Sequence, residues 1–146
     1  MKYIIVLSIL LGISSCNIQQ ESTIEDDKIA ILKVMSNQEI AWGLNDLEGF
    51  MEGYIKSDSL KFFGKNGLTK GWQNTLDNYK NGYPTKDHSG TLHFEIIDLT
   101  PIEHQSYWVM GSYHLSREVG DAKGVFMVIF KKIEGKWKIV ADMSCS

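Results

Sequence analysis

A chain of 146 residues with 18 acidic and 15 basic side chains carries a formal net charge of −3, and 43% of it is hydrophobic. That supplies the core of one domain. Its charges are mixed rather than blocked, which excludes the basic footprint a nucleic-acid partner requires.

Met1-Lys2 followed by the apolar run Tyr3 to Ile13 has the make-up of a secretory signal. The run is well short of the ~20 residues that span a bilayer. Ile13-Ser14-Ser15-Cys16 follows at once and resembles the lipobox of bacterial lipoproteins. The resemblance implies cleavage before Cys16, lipidation of its sulfur, and a chain exported and held on the cell envelope, at the outer membrane where one exists. An ordinary signal peptide with an incidental cysteine is the competing reading. The expected organisation is a signal over 1–15, a polar tether over 16–22 and one domain over 23–146. With Cys16 acylated, Cys145 has no partner within the chain; a Cys16–Cys145 disulfide is the rival.

Ser22 or Thr23 can cap a helix that opens with Glu25, Asp26 and Asp27, where the dipole favours anions. Ile24, Ile31, Val34, Met35, Ala41 and Trp42 share one stripe, interrupted by Gln38, and predict a helix from about 24 to 44. Asn45 with Glu48 forms a capping-box pattern for a second helix, whose apolar face is Leu47, Phe50, Met51, Tyr54 and Ile55. Leu60 to Phe63 reads as a short strand that ends in a turn at Asn66-Gly67. Trp72, Leu76 and Tyr79 mark a third helix within 69–83, stopped by Pro84.

After Gly90 the chain reads as sheet: a strand over 91–99, a bend over 101–106, and a strand over 107–117 in which Gly111 predicts a bulge or bend. The closing stretch VFMVIFKKIEGKWKIVADMS, residues 125–144, is a hairpin turning at Glu134-Gly135. Two of these strands are apolar on both faces. Tyr107, Val109 and Tyr113 oppose Trp108 and Met110, and Phe126, Val128 and Phe130 oppose Met127 and Ile129. One face can cover the helices; the other is a patch that predicts a homodimer through the sheet. The fold class is α+β, a curved antiparallel sheet wrapped around a long N-terminal helix and two shorter ones.

The order and spacing of several segments resemble the nuclear-transport-factor-2-like superfamily, also called ketosteroid-isomerase-like or SnoaL-like. They are Ala41-Trp42 with Asn45 to Met51, Tyr54 with Asp58, Gly111-Ser112-Tyr113, Gly124 to Phe126 with Val128, and Gly135 to Val140 with Asp142. The resemblance spans about 23 to 146. It implies a cone-shaped fold with one pocket, often dimerised through the outer sheet face. Isomerase members carry a general-base aspartate at the end of the first strand; here that stretch is Leu60-Lys61-Phe62-Phe63-Gly64, and an aromatic cannot abstract a proton.

Of the four histidines, His88, His93, His104 and His114, only His93 and His114 fall inside predicted strands, and no pair has metal-ligand spacing. No metal and no cofactor is expected. Ser112 and Ser144 have no adjacent base, so covalent hydrolysis is unsupported. Asp142 interrupts an apolar strand end: it is either a pocket acid partnered by His93 or Tyr113, or a carboxylate satisfied at the sheet rim. The residues expected to line the pocket are Trp42, Tyr54, Phe63, Trp72, Tyr79, His93, Tyr113 and Asp142, the aromatics serving equally as core. Two functions remain. One is an envelope-anchored module binding a small apolar or amphipathic ligand, or a partner. The other is a cofactor-free acid/base enzyme using Asp142 with His93 or Tyr113. A strongly shifted pKa in that cluster favours the enzyme.

Overall fold

The structure, a computed structural model, describes residues 22–146 apart from His104. The expected signal, Cys16 and most of the tether lie outside the described residues. Helix α1 (Ile24–Gly43) starts at the predicted place. Thr23 caps it by accepting from the Asp26 amide at 3.1 Å, while Asp26 accepts from the Thr23 amide at 3.1 Å. Ile31, Met35, Gln38 and Trp42 form its buried face. Ile24, placed on the stripe from the sequence, is exposed.

Helix α2 (Leu47–Met51) is capped by Asp46, which accepts from the Gly49 amide at 2.8 Å, rather than by Asn45. Asn45 is left-handed at φ 57°, so the chain can turn sharply out of α1. Its amide donates to the Tyr83 carbonyl, and Glu48 is drawn off to Lys80 instead of closing a capping box.

The sheet has six strands in the order β2-β1-β6-β5-β4-β3. They are β1 (Lys61–Gly64), β2 (Gly67–Lys70), β3 (Thr91–Glu103), β4 (Ser106–Ser116), β5 (Ala122–Ile133) and β6 (Lys136–Cys145). Every pairing is antiparallel except β1 with β6. The β2 strand is an addition to the sequence reading, which ran Thr69 and Lys70 into the third helix. Four residues are too few for their alternation to stand out, and pairing with β1 decides the matter. Helix α3 accordingly spans Trp72–Gly82, and a single turn, α4 (Lys86–Ser89), precedes β3.

The expected bend at Pro101 is instead the continuation of β3, where Pro101 pairs with Tyr107. β3 is an edge strand, so the missing proline N–H breaks no ladder. The bulge expected at Gly111 lies opposite it, where the β3 register slips between Ile96 and Asp98. Gly111 serves close approach: a Cβ there would sit 2.2 Å from the Glu95 carbonyl oxygen. Glu134 and Gly135, at φ 50° and 76°, make the predicted two-residue turn between β5 and β6.

The concave face of the sheet carries Leu92, Val109, Leu115, Phe126, Val128, Phe130 and Ile139, all buried in one cluster with the inner face of α1. Lys132 on β5 ties the start of α1 to the sheet through Asp27 at 3.0 Å. This is the α+β cone: helices closing the wide end of a curved, unclosed sheet.

Candidate functional site

A cavity of about 270 Å³ opens between the concave sheet and helices α1 and α3. Its wall is aromatic. Trp42 meets Phe50 edge-on at 4.9 Å and Tyr83 at 4.6 Å, Phe62 meets Tyr79 at 5.8 Å, and Phe94 meets Phe126 at 5.3 Å. The Trp42 indole N–H does not point free; it donates to the Ser89 carbonyl at 2.8 Å, pinning α1 to α4. Gln38, also in the lining, spends its amide on the Phe50 carbonyl at 3.1 Å.

The polar groups gather around Asp142. A shift in the β5–β6 register leaves Val140 between the Phe130–Ile139 and Ile129–Ala141 pairs. Ile139 and Asp142 therefore both face inward, three residues apart, instead of the two that a regular strand demands. At the same point the segment after α2 joins β6: the Ile55 amide donates to the Ile139 carbonyl and the Ile139 amide to the Gly53 carbonyl, each at 2.9 Å. That bridge brings Tyr54 alongside the bulge. Its hydroxyl donates to Asp142 Oδ2 at 2.7 Å, and Ser144 Oγ donates to Oδ1 at 2.6 Å.

Asp142 is 7% exposed. Burial pushes its carboxyl up to about 6, against the opposing pull of the hydrogen bonds from Ser144 and Tyr54. Burial also drives the Tyr54 and Tyr79 phenols well above their usual range, with the Asp142 charge adding to it, so both are neutral donors. Tyr83, partly exposed, is raised by burial too.

Trp42, Tyr54, Tyr79, Tyr113 and Asp142 line the cavity as the sequence predicts. Phe63 does not: it lies half exposed on the outer face, and its neighbour Phe62 takes the inward position. Buried Leu60 already carried that parity signal. Trp72 is buried away from the cavity, its indole donating to the Met51 carbonyl at 2.9 Å with Lys56 over the ring. His93 is exposed beside Glu39 at 3.3 Å and His114, its cross-strand partner, is exposed as well, so neither partners Asp142. The partners are Tyr54 and Ser144. The strand parity of Asp142 marks Ser144; no local signal marks Tyr54, 88 residues away. Phe50, Tyr83, Phe94 and Phe126 also line the cavity, and nothing in their local sequence separates a pocket wall from a core. Among the described residues, no three His, Cys, Asp or Glu side chains converge on a common metal position.

Solved structures share this architecture. An NTF2-like protein of unknown function from Shewanella oneidensis MR-1 is 31% identical, the match covering 82% of this chain and 98% of that one at a TM-score of 0.78. A ketosteroid isomerase-like protein from Erwinia carotovora atroseptica SCRI1043 is 12% identical over 80% of this chain and 93% of its own, with a TM-score of 0.63. A putative aromatic ring hydroxylase from Novosphingobium aromaticivorans is 14% identical over 86% and 91%, with a TM-score of 0.69. The last two likenesses are of fold alone. No family model matches the chain. No curated protein matches it either.

Proposed function

This chain belongs to the nuclear-transport-factor-2-like family, and from that premise we propose that it is a binding module for a small amphipathic ligand. One observation carries the reading: an aromatic cavity of about 270 Å³ lined by a single buried carboxylate, Asp142, held by Tyr54 and Ser144. Such a site buries an apolar body and orients one polar head. Burial contributes about 25 cal/mol per Å² of apolar surface before the costs of binding are counted. Both Asp142 oxygens are already hydrogen-bonded, and among the described residues no histidine stands in the lining to relay a proton. The strand end where isomerase relatives hold their base presents Phe62 to the cavity.

A second reading, acid/base catalysis through Asp142, is favoured by the raised carboxyl, since a pKa near the working pH suits proton transfer. Incubation with a β,γ-unsaturated ketone separates the two. Binding without turnover, with Asp142→Asn changing affinity alone, supports the module; isomerisation abolished by Asp142→Asn establishes the enzyme. A thermal-shift screen against a metabolite library supplies the ligand.

The lipobox-like Ile13-Ser14-Ser15-Cys16 supports a location: a module anchored to the cell envelope through acylated Cys16. Among the described residues, no helix is long and apolar enough to cross a membrane.

A further inference from the structure

We propose that the ligand's polar head is a protonated amine, so that the cavity takes a small organic cation with an apolar or aromatic body. The proposal rests on the binding reading above and names the class of its ligand.

The argument starts from charge. Among the described residues the lysine–carboxylate pairs are Lys80–Glu48 and Lys132–Asp27, His93 lies beside Glu39, and none of these contacts includes Asp142. Asp142 is nonetheless buried, with neutral donors on both oxygens. Two hydroxyl dipoles solvate the anion without neutralising it, and a buried, unneutralised carboxylate is costly. Two further acceptor positions remain on a carboxylate bonded in this way, and Asp142 is part of the cavity lining. A group that enters there is placed to supply the missing positive charge.

The rest of the wall agrees. Trp42, Phe50, Phe62, Tyr79 and Tyr113 line the same space, and aromatic faces attract a desolvated cation where they would leave an anion unaided. An anionic head would meet the Asp142 charge directly. A carbonyl head could accept from the Tyr79 or Tyr113 hydroxyl, but like an alcohol it would leave the Asp142 charge uncompensated. A neutral alcohol could donate, but would leave the charge uncompensated. Among the described residues, the one basic side chain of the lining, Lys65, is exposed in the β1–β2 turn at the rim.

The groups facing Asp142 are Tyr54 after α2, Tyr79 on α3, Phe62 on β1, Val128 on β5 and Ser144 on its own strand, with Tyr113 on β4 across the cavity. The Tyr54 and Tyr79 phenols are held neutral by burial, so the carboxyl, at about 6, is the group that titrates near neutrality.

Calorimetric titration of the protein with three isosteric probes tests this: phenethylamine, phenethyl alcohol and phenylacetate. The amine should bind about tenfold more tightly than the alcohol near neutral pH, and phenylacetate weakest. The amine's advantage should fall about tenfold on going from about pH 7 to about pH 5, as Asp142 takes up its proton. Asp142→Asn should erase the advantage; if that variant fails to fold, the pH dependence of the wild type decides. An alcohol bound as tightly as the amine, or a preference that ignores pH, overturns the amine head and leaves the binding module standing. Binding of none of the three by the folded protein counts against both.

Discussion

The Tyr54 hydroxyl donates to Asp142 Oδ2 at 2.7 Å across 88 residues of sequence, joining the segment after α2 to the last strand inside the cavity. Hydrogen bonds to charged groups contribute about 1.5–3 kcal/mol. Tyr54→Phe should therefore lower stability by about that amount, read from urea unfolding, and leave Asp142 with one donor fewer. The carboxyl should rise further above about 6. A carboxyl NMR titration showing Asp142 unmoved or lowered in the variant would count against the pairing.

The raised carboxyl also makes stability depend on pH. Asp142 moves from 3.8 to about 6 on folding, so between those values the native chain holds a proton that the unfolded chain has lost. Stability from this group is complete below about pH 4 and is lost as pH rises through about 6, a swing on the order of 3 kcal/mol. Asp142→Asn does not titrate. The stability difference between the variant and wild type should shift toward the variant by that amount from about pH 4 to about pH 7. Denaturant unfolding at a series of pH values measures it, and a constant difference would show that Asp142 titrates normally.

The outer sheet face carries a lateral apolar row. Leu68 pairs with Phe63, Phe63 with Met143, Met143 with Met127 and Met127 with Met110, one side chain on each of five adjacent strands. Leu68, Phe63, Met143 and Met110 are all substantially exposed. We propose that a second copy covers this row. Light scattering at tens of micromolar should then give a dimer, and Met127→Lys, which places a charge mid-row, should give a folded monomer with its cavity intact. A monomeric wild type would dismiss the interface.

Envelope anchoring has its own test. If Cys16 is acylated, Cys16→Ala should turn a membrane-fraction protein into a soluble or unprocessed one, and mass spectrometry of the wild type should show the acyl mass. Unchanged fractionation with no acyl group would leave only the ordinary signal peptide.

Periodicity and composition alone determined much of this protein. The stripe Ile31, Met35 and Trp42 made α1 legible, and the alternation of Phe126, Val128 and Phe130 against Met127 and Ile129 made β5 legible, while only the fold decided which of its faces turns inward. Both signals are local, because a helix or strand with one wet side repeats its apolar residues at its own period. The four-residue strand β2 and the passage of β3 through Pro101 were not legible, since each depends on a neighbouring strand: β1 for the first, the edge position for the second. The site itself was decided in three dimensions. Strict alternation from Trp137 and Ile139 turns Ala141 inward and Asp142 outward; the extra residue at Val140 reverses that parity. A bulge is a property of two strands in register, and the meeting of Tyr54 with Asp142 is a property of the bridge beside it, so neither is written in any one stretch of the chain.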